Sequence, residues 1–181
     1  MSRYRRVLVL GGARSGKSRY ALELAAASGL ERVLIATAQP GDDEMRARID
    51  RHRRDRSGAW RTDEEPLDLP AALARQTGPG RIVVVECLTL WLSNLLLAGR
   101  DPERAAEALV AAVAAAAGPL VLVSNEVGHG IVPATPLGRA FRDEQGRLNQ
   151  QAAAACDAVV LVTAGCPALL KPAPALSLRL G

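Results

Sequence analysis

Short apolar runs recur along the chain, and most are followed by a turn and then by a stretch with helical spacing. Val7–Leu10 is the first, running straight into a glycine-rich turn, Gly11 to Ser18; beyond it Tyr20, Ala21, Leu24 and Ala25 line one side of a helix. A second run, Val33–Ala36, ends at Thr37-Ala38, and Pro40-Gly41 turns the chain. Asp42 or Asp43 can cap a helix from about Glu44 to Arg56, with Met45 and Ile49 as its thin apolar side. Trp60–Thr62 reads as a short extended piece, broken by Asp63-Glu64-Glu65-Pro66 and followed by a short helix over Leu67–Arg75. Ile82–Val85 is apolar at every position, the pattern of a strand covered on both faces, and closes on Glu86. Leu88–Leu97 reads as a helix containing Trp91. Asp101-Pro102 opens another, with Asp as N-cap and Pro first in the helix, and Gly118 is the natural stop. Leu120–Val123 is a strand ending at Ser124-Asn125-Glu126. An irregular loop follows over Val127–Pro136, then a helix over Leu137–Ala155 and a last strand over Ala158–Val162. The segment from Pro172 takes no assignment, and no internal repeat is visible.

Strands alternating with helices predict an α/β fold, a mostly parallel sheet with helices on both faces, and 181 residues predict one domain over 1–181. Ligands of such sheets bind at the carboxyl ends of the strands. Ser18, Thr37, Glu86, Asn125 and Glu126 all follow apolar runs, so they are expected along one edge.

Composition narrows the classes. Two Trp, two Tyr and one Phe leave the core to Val, Leu, Ile and Ala. The net charge of +4 is mild, and with few aromatics it argues against nucleic-acid binding. Cys87, Cys156 and Cys166 show no metal spacing and read as reduced, buried thiols of a cytoplasmic protein. The basic N-terminus is followed by only four apolar residues, so no signal peptide is expected. The apolar stretch from Ala108 to Val123 is broken by Gly118-Pro119 and is not a membrane span.

The chemistry concentrates in Gly11-Gly12-Ala13-Arg14-Ser15-Gly16-Lys17-Ser18, placed between a strand and a helix as a phosphate-binding loop requires. Gly11 and Gly16 allow a tight backbone turn whose N–H groups surround phosphate oxygens, and the helix N-terminus adds partial positive charge. Lys17 can reach the terminal phosphates, and the Ser18 hydroxyl can ligate Mg²⁺. Glu86, closing the most apolar strand, stands where such proteins hold Mg²⁺, directly or through water; an ordinary strand-end carboxylate is the alternative. His52 lies among Arg46, Arg48, Arg51, Arg53, Arg54 and Arg56. These cations suit a polyphosphate and favour the neutral imidazole that a nucleophile needs, although a solvated histidine on a charged helix would look the same. His129 gains no role from its residues, and Trp60 and Trp91 read as packing residues rather than base-stacking platforms.

Read together, the phosphate loop, Ile35–Ala38, Asp43-Glu44-Met45 with Arg48-Ile49 and His52, and Trp60-Arg61-Thr62-x-Glu64 form an ordered series. It continues through Glu86-Cys87-Leu88-Thr89, Asn94-Leu95-Leu96, the Ser124–Pro133 stretch Ser-Asn-Glu-Val-Gly-x-Gly-Ile-Val-Pro, and Arg142-Asp143-x-x-Gly146-Arg147-x-Asn149-Gln150. Over roughly residues 6–165 this resembles the bifunctional adenosylcobinamide kinase / adenosylcobinamide-phosphate guanylyltransferase family of cobalamin biosynthesis.

The resemblance implies a RecA-like P-loop fold and two reactions. ATP or GTP phosphorylates the aminopropanol hydroxyl of adenosylcobinamide; GTP then donates GMP to that phosphate through a guanylylated histidine, releasing pyrophosphate. By position His52 is that histidine; family members often carry a second one just before it, where this chain has Arg51. The nucleotide contacts fall on Gly11 to Ser18, on Ala36, Thr37 and Ala38, on Arg53, Arg54, Asp55 and Arg56, and on Glu64 and Glu86. A homotrimer is also implied, in which the His52 helix approaches a neighbour's nucleotide. Two other readings stand beside it: a different small-molecule P-loop kinase, and a RecA-like nucleic-acid ATPase. A GTPase switch is disfavoured, because the chain has no Asn-Lys-x-Asp motif.

Overall fold

The computed structural model describes residues 4–41, 43, 46 and 60–173. The helix read over Glu44–Arg56 lies almost wholly outside them, and His52 with Arg53–Arg56 lies entirely outside. The described chain forms β1 (Arg6–Gly11), α1 (Lys17–Ala27), β2 (Glu31–Ala36), β3 (Arg61–Glu64), α2 (Leu69–Gln76), β4 (Arg81–Glu86), α3 (Leu88–Leu97), α4 (Pro102–Ala115), β5 (Leu120–Asn125), α5 (Pro136–Ala155), β6 (Ala158–Thr163) and β7 (Cys166–Lys171). One seven-stranded sheet has the order β3-β2-β4-β5-β1-β6-β7. Its first six strands run parallel and β7 is antiparallel to β6. This is the α/β architecture expected from the alternation, with the glycine-rich loop between β1 and α1 as a P-loop requires.

The all-apolar runs have a direct cause. Successive strand residues face opposite sides, and both sides of this sheet are covered. Leu8, Val33, Ile35, Val83, Val85, Leu120 and Leu122 pack into one cluster with α2, α3, α4 and α5. Val9, Leu34, Val84, Val121, Val123 and Val160 pack into the other with Ala21 and Ala25 of α1. Each such side chain contributes about 1.5–3 kcal/mol relative to leaving it exposed. Trp91 is buried among the first cluster and donates its indole N–H to the Leu67 carbonyl at 2.8 Å, so it is a packing residue as read. Trp60 packs at the edge of the second cluster, with the Arg32 guanidinium 5.6 Å from its ring centre.

The cap of α4 is as predicted: Asp101 Oδ1 accepts from the Glu103 and Arg104 amides at 3.0 and 3.2 Å. Its end is not, for α4 stops at Ala115. Gly118 instead answers a close backbone approach, since a Cβ there would lie 2.4 Å from the Gly78 carbonyl oxygen and 3.0 Å from that of Arg81. β3 also runs on through Asp63 and Glu64, where a break was expected. Parallel pairing with Val33–Ala36 holds it, and Asp63 accepts from Gln76 Nε2 at 2.7 Å. Pro136 begins α5 rather than ending the loop before it, with Thr135 as its cap.

β7 was not predicted at all. Its residues are exposed except for half-buried Lys171, so no apolar alternation marks it; Cys166 is therefore exposed rather than buried as expected, whereas Cys87 and Cys156 are buried. Lys171 nevertheless anchors the strand: its ammonium donates to the Ala153, Ala154 and Cys156 carbonyls at 2.8, 3.2 and 2.6 Å, capping the C-terminal end of α5. No helix among the described residues is long and apolar enough to cross a membrane.

Candidate active site

Strand register lines the predicted site residues up at one edge of the sheet. Ala36 pairs with both Glu64 and Glu86, Glu86 pairs with Val123, and Asn125 pairs with Gly11 at the start of the phosphate loop. The Glu126 amide donates to the Gly11 carbonyl at 3.1 Å, closing the row. Glu64, Ala36, Glu86, Asn125 and the loop therefore occupy one continuous rim.

Within the loop the glycines do different jobs. Gly16 is the N-cap of α1 with φ 96°, a left-handed conformation that other residues adopt at a cost. Gly11 needs no unusual backbone; it needs space, because a Cβ there would lie 2.4 Å from Ser15 Oγ and 2.6 Å from the Val162 carbonyl oxygen. Gly12 is exposed, and a Cβ there would meet nothing within 4 Å; Ala13 and Arg14 are exposed beside it. Arg14, with φ 56°, is a non-glycine residue in the left-handed region. α1 begins with no side-chain cap hydrogen bond, so its first N–H groups face the loop.

Lys17 opens α1 and is only 7% exposed. Its ammonium spans the loop and donates to the Gly12 carbonyl at 3.1 Å, a cation held where loop backbone and helix terminus already favour anions. Ser18 follows in the first turn, half-buried. Glu86 is half-buried at the end of β4. Burial is the main cause that pushes the next residue's thiol, Cys87, upward; the Glu86 carboxylate adds to the rise and the Lys17 ammonium opposes it. Both charges thus act at one place, although β5 separates their strands.

Thr37 is fully buried, and its hydroxyl is committed within the protein. It accepts from the Cys87 amide at 2.9 Å and donates to the Cys87 carbonyl at 2.8 Å, while the Thr37 amide donates to the Glu86 carbonyl at 3.0 Å. What its side chain does here is fix the Glu86 strand end. Ala36 and Ala38 flank it, half-buried.

Sequence reasoning gave no role to three residues that hold this rim. Asn94 donates from Nδ2 to the Thr37 and Pro66 carbonyls at 2.8 and 3.1 Å, tying the end of β2 to the turn after Glu64. Thr89 Oγ1 accepts from the Asn125 amide at 2.8 Å, and Asn149 Nδ2 donates to the Asn125 carbonyl at 3.0 Å. Asn149 Oδ1 also accepts from the buried Ser124 hydroxyl at 2.7 Å and from Gln145 Nε2 at 3.0 Å. Their signal in the sequence was a polar residue on the inward side of a helix, buried for Thr89 and Asn149 and half-buried for Asn94, which single-chain periodicity does not separate from a surface polar residue. His129 is exposed in the loop after β5, as its default reading had it.

Over residues 7–170 the chain matches the family model described as cobinamide kinase / cobinamide phosphate guanyltransferase. The chain belongs to this family. It is accordingly a bifunctional transferase of cobalamin biosynthesis, with a kinase and a guanylyltransferase activity. The "Bifunctional adenosylcobalamin biosynthesis protein CobP" of Pseudomonas aeruginosa is 51% identical over 172 residues, which cover 93% of this chain and 99% of that one. The proteins named "Bifunctional adenosylcobalamin biosynthesis protein CobU" of Escherichia coli and Salmonella typhimurium are 42% and 41% identical, each over 91% of this chain and 99% of their own. Family membership favours the bifunctional enzyme over the plain kinase and the nucleic-acid ATPase.

Proposed function

We propose that this chain phosphorylates adenosylcobinamide with ATP or GTP, and then moves GMP from a second GTP onto the product through a covalent adduct on His52. In the first step the aminopropanol hydroxyl oxygen attacks the γ-phosphorus, the bond to the β–γ bridging oxygen breaks, and the nucleoside diphosphate leaves. In the second, a ring nitrogen of His52 attacks the α-phosphorus of GTP and pyrophosphate leaves. A phosphate oxygen of adenosylcobinamide phosphate then attacks that phosphorus, the P–N bond breaks, and adenosylcobinamide-GDP is released. The observation that carries the reading is the rim itself: a buried lysine at a helix start without a side-chain cap, on the same sheet edge as the Glu86 strand end, in a chain of this family. Residues Gly11 to Ser18 bind the phosphates, with Ala36, Ala38 and Glu64 lining the nucleotide beyond them; Thr37, expected from the sequence as a nucleotide contact, is fully buried and instead holds the Glu86 strand end from behind. Arg53, Arg54, Asp55 and Arg56 stand beside His52 in sequence and complete the nucleotide contacts. A homotrimer working in the cytoplasm belongs to the same proposal.

Incubation with GTP labelled at either the α- or the γ-phosphate tests it. The expected result is an acid-labile α-label on the protein and no retained γ-label. A chain that transfers only γ-label to the corrinoid, and never holds α-label, is a kinase alone.

Ser18 and Glu86 would hold Mg²⁺. The donor set fits, because a hydroxyl and a carboxylate are hard oxygen donors, and Mg²⁺ bound with substrate phosphates takes only one or two protein ligands. Bound there, Mg²⁺ neutralises developing charge on the phosphates. Glu86→Gln is therefore expected to raise the Mg²⁺ midpoint of the initial rate while the thermal transition stays put. An unchanged midpoint and maximum would remove Glu86 from the metal's surroundings.

A further inference from the structure

β7 contributes little to the core, yet the turn that joins it to β6 sits against the phosphate loop. Ala164 and Gly165 form that turn with φ 53° and 80°, both left-handed, as in a two-residue type I′ hairpin. The Gly165 amide donates to the Ser15 carbonyl at 2.8 Å. The approach is close enough that a Cβ on Gly16 would lie 3.2 Å from Gly165 Cα, and a Cβ on Gly165 would lie 3.1 Å from Arg19 Nη2. At the other end of β7, Lys171 is fastened to the end of α5, so the turn is carried by a strand anchored elsewhere.

We infer that this turn is a positioning element for the triphosphate. A trans peptide is planar, so its C=O and N–H point in opposite directions. Holding the Ser15 carbonyl on the hairpin turns the Gly16 N–H away from the hairpin and into the loop, toward the phosphate. Left alone, the Ser15–Gly16 peptide can rotate, because Gly16 is permissive in φ and ψ. Gly165 is thus the source of a fixed donor direction rather than a contact to nucleotide. The inference rests on the phosphate-loop reading above and adds a part to it that lies far away in sequence.

Three variants test it: Gly165→Val, which disfavours the left-handed turn; Ala164→Asn, which suits it; and Lys17→Ala, which tests the loop itself. Dissociation constants are measured for GTP with Mg²⁺, ATP with Mg²⁺ and guanosine, with the thermal transition of the nucleotide-free protein beside them. Gly165→Val is expected to weaken both triphosphates about tenfold or more, the scale of one charge-assisted hydrogen bond, and to leave guanosine within twofold. Ala164→Asn should match wild type. Triphosphate binding within twofold in Gly165→Val, while Lys17→Ala loses it, overturns the inference; so does an equal loss of guanosine and triphosphate. Full binding in Lys17→Ala would instead overturn the phosphate-loop reading. Should Gly165→Val not fold, glycolic acid at position 165 replaces only the N–H by an ester oxygen and is read by the same outcomes.

Discussion

Lys17→Ala is expected to lower both the kinase and the guanylyl-transfer rates by roughly 10²-fold or more, a few kcal/mol of transition-state stabilisation in each. Both reactions start from a triphosphate held by the same loop, so one cation serves both. Its worth is raised by its setting. The side chain is 7% exposed, and a charge contact in a shielded site is screened far less than one in water. The neighbouring donors are backbone groups and cannot replace a full charge. The measurement is steady-state turnover of each half-reaction, with circular dichroism and thermal melting as the check on folding. Near-normal turnover in a folded variant would remove the loop from the nucleotide site. Loss of one half-reaction alone would mean that the two use different triphosphate sites.

His52→Ala is expected to abolish the GMP adduct and guanylyl transfer while sparing much of the kinase step. Direct attack of the substrate phosphate on GTP brings two anions together. A neutral imidazole avoids that repulsion and divides one difficult displacement into two. Phosphorylating an alcohol needs no such intermediate, since the hydroxyl can attack the γ-phosphate in line. The arginines near His52 in sequence would offset charge as pyrophosphate leaves. Adduct formation should fall on the acid side as the imidazole gains a proton and loses its nucleophilic lone pair. The decisive comparison pairs adduct formation with adenosylcobinamide phosphorylation, on wild type and variant. An adduct that survives the substitution places the nucleophile elsewhere, and exposed His129 becomes the next residue to replace.

The sequence by itself determined the parts whose environment is uniform along the element. Five strands were legible because a parallel sheet covered on both faces demands apolar residues at nearly every position, as in Ile82–Val85; polar β3, at the sheet edge, showed only as a short extended piece. α4 was legible at its start because Asp101 and Pro102 act locally, within one turn. The phosphate loop was legible because its chemistry prescribes residue types at fixed spacing. The tertiary structure alone decided what depends on a neighbour distant in sequence. β7 shows no alternation because its residues face water, and it exists by pairing with β6 and by Lys171 reaching α5. Gly118 looked like a helix stop, but the Gly78 carbonyl is what excludes a side chain there. Gly11 reads in sequence as freedom for a tight turn, but it is small because the Val162 carbonyl and the Ser15 hydroxyl stand where a side chain would go. Thr37, Asn94 and Asn149 are polar letters in sequence; only the fold turns them inward, onto the strand ends they hold. Local pattern records how a residue meets solvent and its own turn, whereas a hydrogen bond across the sheet depends on which backbone arrives opposite.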